Sequence, residues 1–171
     1  MSGTLIETDV AIVGAGPAGL FAVFECGMLK MRCVLVDALD VAGGQCAALY
    51  PEKPIFDIPA WPRIEGAELI RQLEAQAAPF KPIMLLGRRV EGFSREDEGW
   101  LRLSTGGGDT IRARAVIIAA GSGAFGPNRP PLADIEAYEA SSVHYYVRDR
   151  KMFAGQRLVI AGGGDSALDW T

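Results

Sequence analysis

The sequence predicts an α/β fold, a parallel sheet with helices packed on it and a small antiparallel β-meander attached. Three observations predict it. Short apolar runs rich in β-branched residues recur at residues 9–13 (DVAIV), 32–36 (RCVLV), 115–119 (AVIIA) and 157–161 (RLVIA). Such runs suit strands buried on both faces. A glycine turn and a helical stretch separate the first run from the second, which is the order of a βαβ unit with parallel neighbours. Between the second and third runs lie alternating segments joined by turn residues, the signature of antiparallel pairing.

The elements follow in order. Residues 9–13 form the first strand, residues 14–19 a turn, and residues 20–30 a helix with Gly27 as a weak point near its end. Residues 32–36 form the second strand and end at Asp37. Residues 43–62 are rich in Gly and Pro and read as a long ordered loop. Residues 65–78 carry the clearest helical period, with Leu69, Ile70, Leu73 and Ala77 on one side and Pro79 and Pro82 ending it. Residues 83–86 read as a strand, and 90–94 with 100–104 as an antiparallel pair. The Gly106, Gly107, Gly108 turn and residues 110–112 complete the meander. Residues 115–119 and 157–161 are two more buried strands, separated by an irregular stretch from 122 to 153.

Composition narrows the function. Of 171 residues, 49% are apolar and 22% charged, which excludes a disordered or fibrous chain. The net charge of −4 argues against a general nucleic-acid binder. The longest uncharged stretch at the N-terminal end, residues 10–24, is interrupted by three glycines and a proline, too short and too broken for a membrane span. An acidic N-terminus with no basic region predicts no signal peptide. The cysteines Cys26, Cys33 and Cys46 are odd in number and never spaced as C-x-x-C. That excludes a disulfide framework and a zinc site and predicts a reducing, cytoplasmic setting.

Glycine, at 21 residues, is in excess, and two turns concentrate it. Gly14, Gly16 and Gly19, with Pro17 and Ala18 between them, match G-x-G-x-x-G after a buried strand and before a helix. The first glycine permits the tight turn, the second lets backbone approach a pyrophosphate, and the third allows close helix–strand packing. The phosphates then meet free N–H groups at the positive end of the helix. Asp37, at the tip of the second strand, can accept from ribose hydroxyls. Gly162, Gly164, Asp165, Ser166 and Ala167 repeat the pattern as G-x-G-x-x-A after the last strand. Two such turns predict two dinucleotides, naturally one flavin and one nicotinamide. Only four residues follow Ala167, so the second βαβ unit is incomplete, and a longer parent protein is expected.

The motifs GAGPAG, GGQCAALYPEK, AAGSGAFGP and AGGGDSALDW together resemble the ferredoxin–NADP reductases of the thioredoxin-reductase-like type. The resemblance implies a Rossmann-like FAD domain whose N-terminal part spans residues 1–121, a crossover at 122–155, and the truncated start of a Rossmann-like NADPH domain at 156–171. It implies a homodimeric flavoprotein passing electrons between NADPH and ferredoxin through FAD, with FAD and NADP as cofactors. By the same resemblance Gly14, Gly16, Pro17, Ala18 and Gly19 hold the FAD pyrophosphate and Asp37 the adenosine ribose. Gly44, Gln45 and Tyr50 face the flavin, Val90 meets the adenine end through its backbone, and Phe125 lies near the cofactor. Gly162, Gly164, Asp165, Ser166 and Ala167 begin the NADP phosphate site.

Thioredoxin reductase would place a C-x-x-C shortly before the second glycine turn, and no cysteine follows Cys46 here. A dithiol relay cannot be built from this segment. Two alternatives stay open: a related disulfide or quinone reductase, and a cofactor-free nucleotide-binding module that dimerises. His144, the single histidine, reads as structural, and Cys46 as a small apolar packing residue. Arg129, Arg148, Arg150 and Lys151 form a basic cluster suited to steering an acidic partner. Tyr145 and Tyr146 suit packing as well as ring stacking. No side-chain nucleophile or acid–base pair is called for, since the cofactor carries the redox chemistry.

Overall fold

The computed structural model describes residues 3–124, 129–139, 141–145, 147, 149–164 and 167–168. Strands β1 (Leu5–Val13) and β2 (Cys33–Val36) flank helix α1 (Pro17–Met28), as the βαβ reading requires. There follow α2 (Gly44–Ala48), β3 (Pro54–Ile55), β4 (Ile64–Glu65) and α3 (Gly66–Ala77). Then come β5 (Ile83–Leu85), β6 (Val90–Arg95), β7 (Leu101–Thr105) and β8 (Thr110–Ile118). The main sheet runs β5-β2-β1-β8-β7-β6. Its β5, β2, β1 and β8 are parallel, and β8, β7 and β6 are antiparallel.

Strand alternation divides the core. Val10 and Ile12 of β1 point to the helical side and pack with Leu20 and Val23 of α1, Leu35 of β2 and Ile70 of α3. Ala11, Val34 and Val36 point the other way and meet Leu103, Ile111 and Ala113. Pro17 sits in the first turn of α1, where its missing N–H is not needed.

Four expectations need correction. Strand β1 begins at Leu5 rather than residue 9, because β8 offers it a parallel partner from Leu5↔Thr110 onward. Residues 43–62 are not all loop, since they hold α2 and β3, the latter paired with β4. Residues 110–112 and 115–119 are not separate, since β8 is one continuous strand. Its first half pairs with β7 and nearly its whole length with β1. Residues 157–161 are neither strand nor buried, with Val159 95% exposed. A lone parallel strand leaves its backbone groups unpaired, and no strand among the described residues lies beside this one.

Strand β8 is also half open. Strand β7 ends its pairing at Ala113, and no strand among the described residues pairs with the outer edge of residues 114–118. Ile118 there is 81% exposed.

Candidate functional site

The carboxyl ends of β1, β2 and β8 lie together at one end of the sheet, where open α/β sheets bind ligands. Each contributes a turn. Gly14 leaves β1 with φ +109°, donates its N–H to the Val36 carbonyl at 2.8 Å, and lies against the Ala119 carbonyl. A Cβ at residue 14 would collide with that carbonyl. A Cβ at Gly19 would collide with the Gly14 carbonyl. Both glycines are thus demanded by the protein's own backbone.

Gly16 is different. Its φ of −71° is open to any residue, and the nearest atom to a Cβ there is the Gly44 Cα, 4.0 Å away. Nothing among the described residues requires glycine at this position. It caps α1, whose first-turn N–H groups have no partner within the helix and whose first turn carries no acidic residue. The space a Cβ would take lies at a helix N-terminus suited to an anion. The turn therefore fits a dinucleotide pyrophosphate.

The Asp37 carboxylate crosses from the end of β2 to this turn. Its Oδ2 accepts from the Ala15 N–H at 2.6 Å and its Oδ1 from the Leu39 N–H at 2.8 Å. Each oxygen keeps further acceptor capacity for hydroxyls. The Asp37 carbonyl accepts the Arg88 N–H at 2.8 Å, which brings the segment leading to Val90 beside the turn. Val90 itself pairs with Thr105 at a bulge and packs into the second core face.

Helix α2 is fastened to the same turn. The Gly43 N–H donates to the Ala15 carbonyl at 2.8 Å, and a Cβ at Gly44 would come within 3.1 Å of the Gly16 Cα. Gly43 and Gly44 have φ of +115° and +54°, the left-handed backbone that glycine accepts readily. Gln45, next in the helix, donates from Nε2 to the Ser122 hydroxyl at 3.1 Å. Cys46, the next residue, and Tyr50, just past the helix, line an open cavity of about 600 Å³ with Lys53, Pro54, Phe56 and Asp57. The Lys53 ammonium stands over the Tyr50 ring at 5.2 Å. Burial pushes the Cys46 thiol pKa up.

The structure thus brings Gly14, Gly16, Pro17, Ala18, Gly19, Asp37, Gly44 and Gln45 to one place, with Tyr50 in the adjoining cavity. Ser122 and the Ala119 carbonyl belong to this cluster and were missed. Their signal is positional: they follow directly on a strand adjacent to the glycine strand. Gly162 and Gly164 lie in an exposed turn, where the Ala167 N–H donates to the Gly164 carbonyl at 3.0 Å. Phe125, Asp165 and Ser166 lie outside the described residues, as do Tyr146 and Arg148. Arg129 is held by Glu139, at 2.6 and 3.0 Å, and Tyr145 donates to the same carboxylate. Its guanidinium is therefore not a free member of a basic cluster. His144 packs edge-on against Phe153 with ring centroids 5.0 Å apart. No helix among the described residues is long and apolar enough to cross a membrane.

The chain is similar to known proteins. A protein of Gluconacetobacter diazotrophicus named ferredoxin–NADP reductase is 67% identical over 166 residues, covering 96% of this chain and 48% of its own. One of the same name from Gluconobacter oxydans is 66% identical with the same coverage. The chain spans about half the length of these curated relatives. The crystal structure of T. acidophilum thioredoxin reductase superposes with a TM-score of 0.61 at 24% identity, over 80% of this chain and 41% of that one. That likeness is one of fold. The resemblance carried by the four glycine-rich motifs therefore extends over nearly the whole sequence. Residues 8–171 match the model of the pyridine nucleotide-disulphide oxidoreductases, and the chain belongs to that family.

Proposed function

We propose that the chain is the FAD-binding front part of a flavoprotein that moves electrons between NADPH and ferredoxin. The observation that carries this reading is Gly16, a glycine that nothing among the described residues requires, placed where a pyrophosphate would stand. The relatives named ferredoxin–NADP reductase support the choice of substrates.

In this reading the α1 N-terminus and the amides of Ala18 and Gly19 receive the pyrophosphate, with Gly14 and Pro17 shaping the turn. Asp37 takes the adenosine ribose, and the Val90 backbone the adenine. Gly44, Gln45 and Tyr50 face the isoalloxazine, and Phe125 lies near it. Gly162, Gly164, Asp165, Ser166 and Ala167 begin the NADP phosphate site. FAD held by these residues would supply the redox chemistry that links a two-electron donor, NADPH, to a one-electron carrier, ferredoxin. The chain's own residues bind and orient FAD, with Tyr50, Ile55 and Phe56 offering apolar surface on that side. Residues 1–121 form the front of the FAD domain, 122–155 the crossover and 156–171 the start of the NADPH domain. The parent protein acts as a cytoplasmic homodimer.

The test is the visible spectrum and intact mass of the purified chain after incubation with FAD and desalting. A flavin spectrum retained with the protein supports the reading. A colourless protein favours the cofactor-free module. In a parent-length protein, reduction of thioredoxin in place of ferredoxin would overturn the choice of partner.

A further inference from the structure

We propose that Ser122 is a positioning residue for the flavin end of the site, acting through Gln45. The inference rests on the FAD reading above. Its basis is a side-chain bridge across 77 residues of sequence, in which Gln45 Nε2 donates to Ser122 Oγ at 3.1 Å.

Both ends of this bridge are held in place by backbone. On one side Gln45 follows two glycines pinned to the phosphate turn, through the Gly43 N–H to Ala15 carbonyl bond and the close approach of Gly44 to Gly16. On the other, Ser122 lies in a turn closed by the Gly123 N–H to Ala120 carbonyl bond at 2.8 Å. Gly121 enters that turn with φ +55°, and a Cβ there would lie 3.7 Å from Gln45 Nε2. The turn hangs from the end of β8, where the next residue, Ala119, donates its N–H to the Val13 carbonyl at 2.8 Å.

What the backbone alone does not fix is the Gln45 side chain. A glutamine gives up much of its rotamer freedom when it is ordered. The Ser122 bond takes up part of that loss before a ligand arrives. It occupies one of the four hydrogen-bonding valences of the amide and leaves Oε1 and the second Nε2 proton for another group. Such an amide can donate to a carbonyl or accept from an N–H, and the edge of an isoalloxazine carries both. Ser122 does not itself touch the ligand in this account. It presets the residue that does.

The experiment compares the wild-type chain with Ser122→Ala and Ser122→Thr. It measures FAD affinity by quenching of flavin fluorescence, the visible spectrum of the bound flavin, and the melting temperature without FAD. Ser122→Ala is expected to weaken FAD roughly 3- to 10-fold, the loss of one hydrogen bond. The flavin band should shift and the FAD-free melting temperature should stay where it was. Ser122→Thr, which keeps the hydroxyl, should restore both affinity and spectrum. Wild-type affinity and spectrum in Ser122→Ala overturn the proposal alone. Failure of the wild-type chain to take up FAD overturns the cofactor reading and this proposal with it.

Discussion

The Asp37 carboxylate accepts the Ala15 N–H at 2.6 Å, so the residue expected to read a ribose also braces the glycine turn. The two tasks are separable by substitution. Asp37→Asn can present its amide oxygen to only one of the two N–H groups of Ala15 and Leu39 and sets an NH₂ against the other. It should lower stability by about 2 kcal/mol, the range for a half-buried donor left unsatisfied. Urea unfolding of the FAD-free chain measures this, and an unchanged midpoint would show that the brace contributes nothing.

The glycines of the turn should respond in opposite ways. Gly19→Ala drives a Cβ into the Gly14 carbonyl and should destabilise the FAD-free chain by about 3 kcal/mol. Gly16→Ala meets no protein atom closer than 4.0 Å and should change stability by less than about 1 kcal/mol. It should nevertheless weaken FAD roughly tenfold or more, above about 1.4 kcal/mol. Thermal melts and FAD titrations of the pair check both halves, and a Gly16→Ala chain that binds FAD normally would remove the pyrophosphate from this turn.

A charge network on the meander predicts an acid response. Glu96 accepts from Arg102 at 3.2 Å and from Arg112 at 2.7 Å, and these bonds hold its carboxyl below the usual range. Arg112 also bonds Glu7, and with Arg114 it stands over the Trp100 ring at 4.5 and 3.8 Å. A carboxylate whose folded pKa is depressed stabilises in full above its unfolded value, about 4.3, and loses that contribution as pH falls through the folded value. The stability gap between wild type and Glu96→Gln should therefore be widest near pH 7 and close as the pH drops below about 4. Denaturation midpoints at several pH values test it, and a gap independent of pH would show that the ion pairs do not matter.

The thiols should be quiet. Burial pushes Cys33 up to about 11, and Cys26 and Cys46 move the same way for the same reason. Cys26 and Cys33 are buried, and Cys46 is partly exposed. A thiol reagent at pH 8 should label at most Cys46 in native buffer and all three cysteines in urea. Rapid native labelling of Cys26 or Cys33 would mean that α1 opens readily from β2.

Much of this arrangement was legible because two periods are written plainly in the chain. The uncharged run at 10–13, rich in β-branched residues, and the 3.6-residue spacing of Leu69, Ile70, Leu73 and Ala77 each specify one element, and both elements form. What escaped depended on partners far away in sequence. Leu5 to Thr8 join β1 because Thr110 to Ala113 lie alongside, which no local pattern announces. Residues 157–161 have the composition of a buried strand and no neighbour to pair with among the described residues. Gly27 looked like a helix weakness, yet the Phe80 ring lies where its Cβ would be, and that ring packs edge-on against Phe24 with centroids 5.8 Å apart. In the site, glycine spacing located the phosphate turn. The Gln45–Ser122 bridge needed two segments that only the sheet brings together.

The contact of Gly14 with the Ala119 carbonyl also sets an order in time. The turn at residue 14 takes its final shape only when residue 119 arrives beside it. A ribosome adding about 5–20 residues per second needs on the order of 5 to 20 s to make the intervening chain. During that interval the phosphate turn has its bonds to Val36 and Asp37 but lacks the wall that residue 119 provides. A nucleotide present in the cell from the start can therefore be captured only late in synthesis. A nascent chain halted before β8 should be blind to it, however complete its first βαβ unit.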